Sequence, residues 1–236
     1  MQISKNSWKK YSKGQEKIRT AAAKLMEAWI MKNGTEDREA FVAYAASLVD
    51  RYGEAAAAYA CQMYDEIAEA EGANVRSAIP AEVATVSEVA KAVNGALKTS
   101  VAGLLAVRVV ERLVKQAGAD TMLQNASRDG AEFAWIPDGG ACPFCMGIGA
   151  EGWKLASSRV MNGQRAEHIH ASCNCEFAIR FNKESNVSGY DPNEYKEKLA
   201  AKSEEEIRRE QDEENRAEIN EQKRMVYAFN NEYKAE

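Results

Sequence analysis

Four of the five cysteines and both histidines fall inside a 34-residue window. They form two pieces, Cys142-Pro143-Phe144-Cys145 and His168-Ile169-His170-Ala171-Ser172-Cys173-Asn174-Cys175. The first is a C-x-x-C knuckle. Its two thiolates can face one centre, and Gly147 relieves the tight turn after it. The second piece supplies up to four more nitrogen or sulfur donors. Tetrahedral zinc takes four ligands from such sets, commonly four cysteines or three cysteines and one histidine. A 27-residue loop separates Cys145 from Cys173, which is geometrically feasible. Six donors do not choose four. Cys142, Cys145, Cys173 and Cys175 are the simplest set, and His170 can replace one cysteine. His168 is the weaker ligand, better suited to an exposed or supporting imidazole. Three chemistries stay open: a structural zinc, a thiol cluster without metal, and a catalytic metal. Cys61 stands far off on a helical face, as a small buried residue.

Known enzyme patterns fail residue by residue. Zinc deaminases need H-x-E upstream of P-C-x-x-C. Here no histidine precedes Cys142, and the proline lies inside the knuckle. A thioredoxin-type C-x-x-C needs a βαβ setting, whereas helical patterns precede this one. An HNH-type nuclease needs well-separated histidines, and the two here are two positions apart. P-loop, Rossmann and Gly-x-Ser-x-Gly motifs are absent. Enzymatic use of the cluster would need an open metal position and a base, for which Glu151 and Glu167 are the candidates. The expectation is a protein that is not an enzyme and binds no small-molecule substrate.

The elements that must position the cluster are alanine-rich. The chain has 236 residues with 40 Ala, but Leu, Ile, Val and Phe together number 41, about 17%. That is below the level at which disorder is suspected. The net charge of only −5 and the patterned alanines oppose disorder. Alanine is the best helix former but buries little area. The implied protein is helical with a thin core, completed by a metal, a partner or self-assembly. No stretch approaches the roughly 18 apolar residues of a transmembrane helix. The basic N-terminus lacks the apolar core of a secretory signal. The expected setting is a reducing cytoplasm.

Periodicity predicts a first helix over residues 5–32, closed by Asn33-Gly34, with Thr35 capping a second helix that runs to about Glu71 and stops at Gly72. Val86, Val89, Val93, Leu97, Val101, Leu104 and Leu105 predict one broad face of a third helix. Its stripe continues to Val114, and Gly118 breaks it. Phe133–Ile136 and Phe177–Phe181 read as strands that pair, since each abuts one half of the cluster. Residues 191–224 hold 12 acidic and 8 basic residues. They predict a solvated helix or tail with pairs such as Glu204–Arg208 and Glu205–Arg209. An apolar patch of Met225, Val226, Tyr227, Phe229 and Tyr233 raises the alternative of an assembly arm. The expected fold class is α+β, predominantly α-helical. Its parts are a helical region 1–118, a Cys/His-pinned module with short strands 119–182, and a charged helical tail 183–236. Lys5, Lys9, Lys10, Lys13, Lys17 and Arg19 form a basic arm able to neutralise phosphates.

The ordered set Phe133-Ala134-Trp135-Ile136-Pro137-Asp138-Gly139-Gly140, Cys142-x-x-Cys145, Trp153, then His170-x-x-Cys173-x-Cys175 running into a strand resembles the C-terminal module of tailed-phage minor head proteins, the MuF-type head morphogenesis family. The resemblance covers about residues 100–182. It implies a low-copy structural protein of the capsid interior or portal vertex, contacting portal or major capsid protein. It also implies a virion location, assembly in the host cytoplasm and weak contact with packaged DNA. Neither a membrane nor a catalytic residue is implied. The competing reading is a zinc-stabilised nucleic-acid-binding module.

Overall fold

The computed structural model describes residues 2–3, 5–97, 102–156 and 174–201, together with Arg209 and Asp212. Over these residues the fold is predominantly helical with a small antiparallel sheet, which bears out the α+β expectation. After a short strand β1 (Gln2–Ile3), helix α1 spans Lys5–Asn33. Its inward stripe is Tyr11, Gln15, Arg19, Ala22, Met26 and Ile30, spaced three or four residues apart. Gly34 ends it at φ 70°, a left-handed conformation that glycine adopts without a Cβ clash.

Helix α2 spans Arg38–Glu71 and ends at Gly72, as expected. Its cap is Asp37 rather than Thr35: the Asp37 carboxylate accepts from Ala40 N at 3.0 Å. The local reason is chain geometry, because residues 35 and 36 form the bend that separates the two helices. An aspartate caps as well as a threonine, so the start moved by two residues at no cost.

The expected third helix is two helices. Helix α3 is Val86–Ala96 and α4 is Ala102–Asp129. Thr85 and Glu88 close a capping box at the start of α3, which satisfies two otherwise orphaned donors. Helix α4 runs unbroken through Gly118. A Cβ at that glycine would lie 2.9 Å from Gln15 Nε2, so the residue is small for α1 to approach rather than to stop a helix.

Between α2 and α3 the chain is extended, and α4 pins it with side chains. Asn125 accepts from Ile79 N at 2.9 Å and donates to Ile79 O at 2.8 Å, while Thr121 accepts from Ala81 N at 3.0 Å. These bonds satisfy backbone groups that no strand or helix pairs.

Helices α1 to α4 enclose a first core around Met26, Phe41, Val49, Val89, Val93, Val110 and Val114. The alanines make it thin by design of spacing. Ala22, Ala45, Ala56, Ala57, Ala60 and Ala106 are fully inaccessible, so they sit where helices touch. A second core joins the helices to the sheet, through Tyr11, Tyr64, Met122, Phe133, Trp135 and Phe177.

Strands β2 (Glu132–Ile136), β3 (Lys154–Leu155) and β4 (Glu176–Arg180) form a sheet in the order β3-β2-β4, antiparallel throughout. The expected pairing of the two aromatic strands is thus present, with Phe133 opposite Ile179 and Trp135 opposite Phe177. Their alternate residues Ala134, Ile136 and Ala178 face a third cluster with Val187 and Tyr190. Strand β5 (Asn186–Val187) pairs in parallel with β1, tying the N-terminus to the end of the module. Helix α5 (Pro143–Gly149) lies between β2 and β3, and α6 (Pro192–Ala200) opens the charged tail. Of the pairs Glu204–Arg208 and Glu205–Arg209 only Arg209 is among the described residues, and the apolar patch Met225–Tyr233 falls outside them.

Candidate cysteine centre

Pro143 at the start of α5 has no N–H to lose there, so the knuckle folds as a short helix with Cys142 as its N-cap. Cys142 is half-buried and Cys145 buried. Cys175 is buried one residue before β4. The register that puts Trp135 against Phe177 brings the end of β2 and the start of β4 together. Consequently Cys145 and Cys175, one from each half of the sequence cluster, share one core with Trp135 and Phe177, and Cys142 packs against it. Asp138, in the turn after β2, donates its backbone N–H to Cys175 Sγ at 3.3 Å.

His168, His170 and Cys173 lie outside the described residues. Among the described residues no three Cys, His, Asp or Glu side chains converge on a metal-sized centre. The donors that are described fit a soft divalent metal in type: sulfur atoms held on rigid elements, one already accepting an N–H. Helix α6 stands nearby. Burial first, then Glu194, with smaller contributions from Cys175 and Asp138, holds the Tyr195 hydroxyl above its ordinary value. Of the two candidate bases, Glu151 is ion-paired with Lys154 at the surface, and Glu167 falls outside the described residues. Cys61 sits on α2 only half-buried, rather than as the expected buried small residue, because its side chain is not on the fully covered face of Ala57, Ala60 and Tyr64.

A polar bridge links this centre to the helices. Arg19 is 3% exposed, not part of a solvated basic arm. Its Nη1 donates to Glu111 Oε1 at 3.1 Å and its Nη2 to Asn174 Oδ1. Ser12 Oγ donates to the backbone O of the same asparagine at 3.3 Å. Burial pushes the Glu111 carboxyl up, and Arg19, Arg108 and Lys115 oppose that shift. Beside it, the buried Lys115 ammonium lies 5.4 Å from the centroid of the Trp135 ring, a cation–π contact. Gln15 Nε2 donates to Tyr11 Oη at 3.2 Å and to Ala56 O at 3.0 Å. The signal was present in the sequence. Tyr11, Gln15 and Arg19 recur every four residues, so a helix that buries Tyr11 also buries the arginine.

Fold and site together define a helix-rich α+β protein that closes around a small cysteine-bearing sheet. The chain belongs to the VG15 protein family, a viral gene-15 family, whose model matches residues 2–202. It is a viral protein, and the match takes in helices α1 to α4 as well as the cysteine module. No curated protein and no solved structure matches the chain. Among the described residues no helix is long and apolar enough to cross a membrane.

Proposed function

We propose that the chain is a structural minor capsid protein of a tailed bacteriophage, acting in head morphogenesis at the portal or the capsid interior. The observation that carries this reading is the ordered module itself. An aromatic strand, an Asp/Gly turn, a C-x-x-C helix start and a second strand entered through Cys175 follow one another as in MuF-type head proteins, and β2 and β4 pair around them. Membership of a viral family agrees with it. So do the large apolar side chains left at the surface, Leu25, Met31, Ile79, Val86 and Leu155 among them. Portal or major capsid subunits would cover such residues. The role is one of assembly and contact rather than catalysis.

A structural zinc would complete the module. Cys142, Cys145 and Cys175 supply sulfur, and a closed four-ligand site takes its fourth donor from among His168, His170 and Cys173. Bound zinc would supply cross-linking energy to a small core and no reaction.

The test is genetic. Deletion of the gene from the phage should lower the yield of filled heads, and the protein supplied in trans should restore it. Normal head yield with normal genome retention would overturn the reading.

A further inference from the structure

Every exposed residue between positions 9 and 24 is a lysine: Lys9, Lys10, Lys13, Lys17 and Lys24. At 3.6 residues per turn these five fall within about 100° of arc, along roughly 22 Å of α1. The buried stripe of Tyr11, Gln15, Arg19, Ala22 and Met26 lies on the opposite side. The two acidic residues of the helix, Glu16 and Glu27, are half-buried at the border of the arc. Among the described residues none of the five ammoniums makes an ion pair. This is a concentrated positive strip on a chain of net charge −5.

The geometry points to this face of α1 as a docking surface for the phosphate backbone of duplex DNA. Lysine is a compact point charge on a flexible stem, suited to phosphates and not to bidentate reading of base edges. No exposed Arg, Asn, Gln or aromatic residue interrupts the strip to read a base or stack on one. Binding is therefore expected to be independent of sequence. A membrane surface fits less well, because interfacial helices bury a broad apolar face in lipid. The apolar face of α1 is already committed to the core. An acidic protein patch would be expected to meet exposed apolar or neutral polar groups between the charges, and no fully exposed residue other than lysine lies between Lys9 and Lys24. Arg19 takes no part, since it is buried against Glu111. Only the natural source of the DNA, a packaged genome, rests on the head-protein reading; the surface itself does not.

The experiment uses the full chain and a fluorescent random-sequence 30-base-pair duplex, with anisotropy read across a salt series. Four or five phosphate contacts give a log–log salt slope of roughly −4, a loss of about two orders of magnitude in affinity between 50 and 200 mM salt. Each Lys→Gln change among Lys9, Lys13, Lys17 and Lys24 should lower the slope by about 1. The quadruple variant should lose detectable binding while keeping its thermal melt. Absence of binding at 50 mM salt, binding unaltered in the quadruple variant, or tighter binding to phosphatidylserine vesicles than to the duplex would each overturn the proposal. Duplex binding by a chain whose deletion leaves heads normal would retain the surface and remove the capsid setting.

Discussion

The buried Arg19 guanidinium on α1 donates to the side chain of Asn174, the residue between Cys173 and Cys175. The two residues are 155 positions apart in the chain. One hydrogen bond therefore fixes the entry to β4 against the first helix, and Ser12 adds a second to the same residue. Because Glu111 holds the other arm of Arg19, the charge is compensated where it is buried.

Arg19→Met should cost about 1.5–3 kcal/mol, because the partly buried Glu111 loses its hydrogen-bonded cation and keeps only Arg108 and Lys115. Urea unfolding measures this. Arg19→Met combined with Glu111→Leu should recover a good part of the loss. The same single variant should also free the Cys175 thiol. Alkylation of Cys175 is expected to accelerate at least tenfold relative to Cys61, which sits on α2 and serves as an internal reference. Equal acceleration at both cysteines would show a general loosening and defeat the idea of a specific anchor.

Reduced protein, purified without chelator, should carry one zinc per chain. Stripping it should lower the thermal midpoint by several degrees, and Cys145→Ser or Cys175→Ser should bring the metal content near zero. Protein that is fully folded, fully reduced and free of metal by elemental analysis would return the cluster to packed thiols.

Acidity should stabilise this fold over a defined window. Burial pushes the Asp120 carboxyl from its ordinary 3.8 up to about 6. A native carboxyl with a raised pKa binds more protons than the unfolded one between those values. Stability therefore falls as pH rises from about 4 to 6, by an amount on the order of 1–3 kcal/mol. Asp120→Asn should be more stable than the parent at pH 7 and should flatten that slope. Parallel stability–pH curves for the two proteins would contradict the assignment.

Gly118→Ala would ordinarily gain about 1 kcal/mol of helix propensity. Here the new Cβ falls 2.9 Å from Gln15 Nε2, a side chain that bonds Ala56 O in the buried junction of α1 and α2. A net loss of about 1–2 kcal/mol is expected from the displaced buried bond. Gln15→Ala placed in the same chain should remove most of that penalty. A stabilised single variant by differential scanning calorimetry would show that Gln15 moves freely.

The local signals were legible. Apolar spacing, Gly34 and Gly72 marked α1 and α2, because periodicity and left-handed caps depend on neighbours a few residues away. The aromatic runs marked β2 and β4, and the cysteine pieces at their ends marked which strands meet. Less legible were the ends that depend on contacts. Gly118 reads as a helix breaker in sequence, yet it is the point where Gln15 of α1 sits against α4. Thr35 and Asp37 are both fair caps, and the turn between the helices chose the second.

What the sequence determined by itself was the set of elements, the cysteine-bearing module and the lysine-rich character of the first helix. Those follow from residue type and short-range spacing. Only the tertiary structure decided what meets the one basic residue on the inner stripe. A buried guanidinium is tolerable only when an anion and an acceptor meet it, and its partners, Glu111 and Asn174, come from α4 and from the threshold of β4. Sequence spacing places Arg19 on the inner stripe. Only the three-dimensional path of the chain brings the two groups that neutralise it.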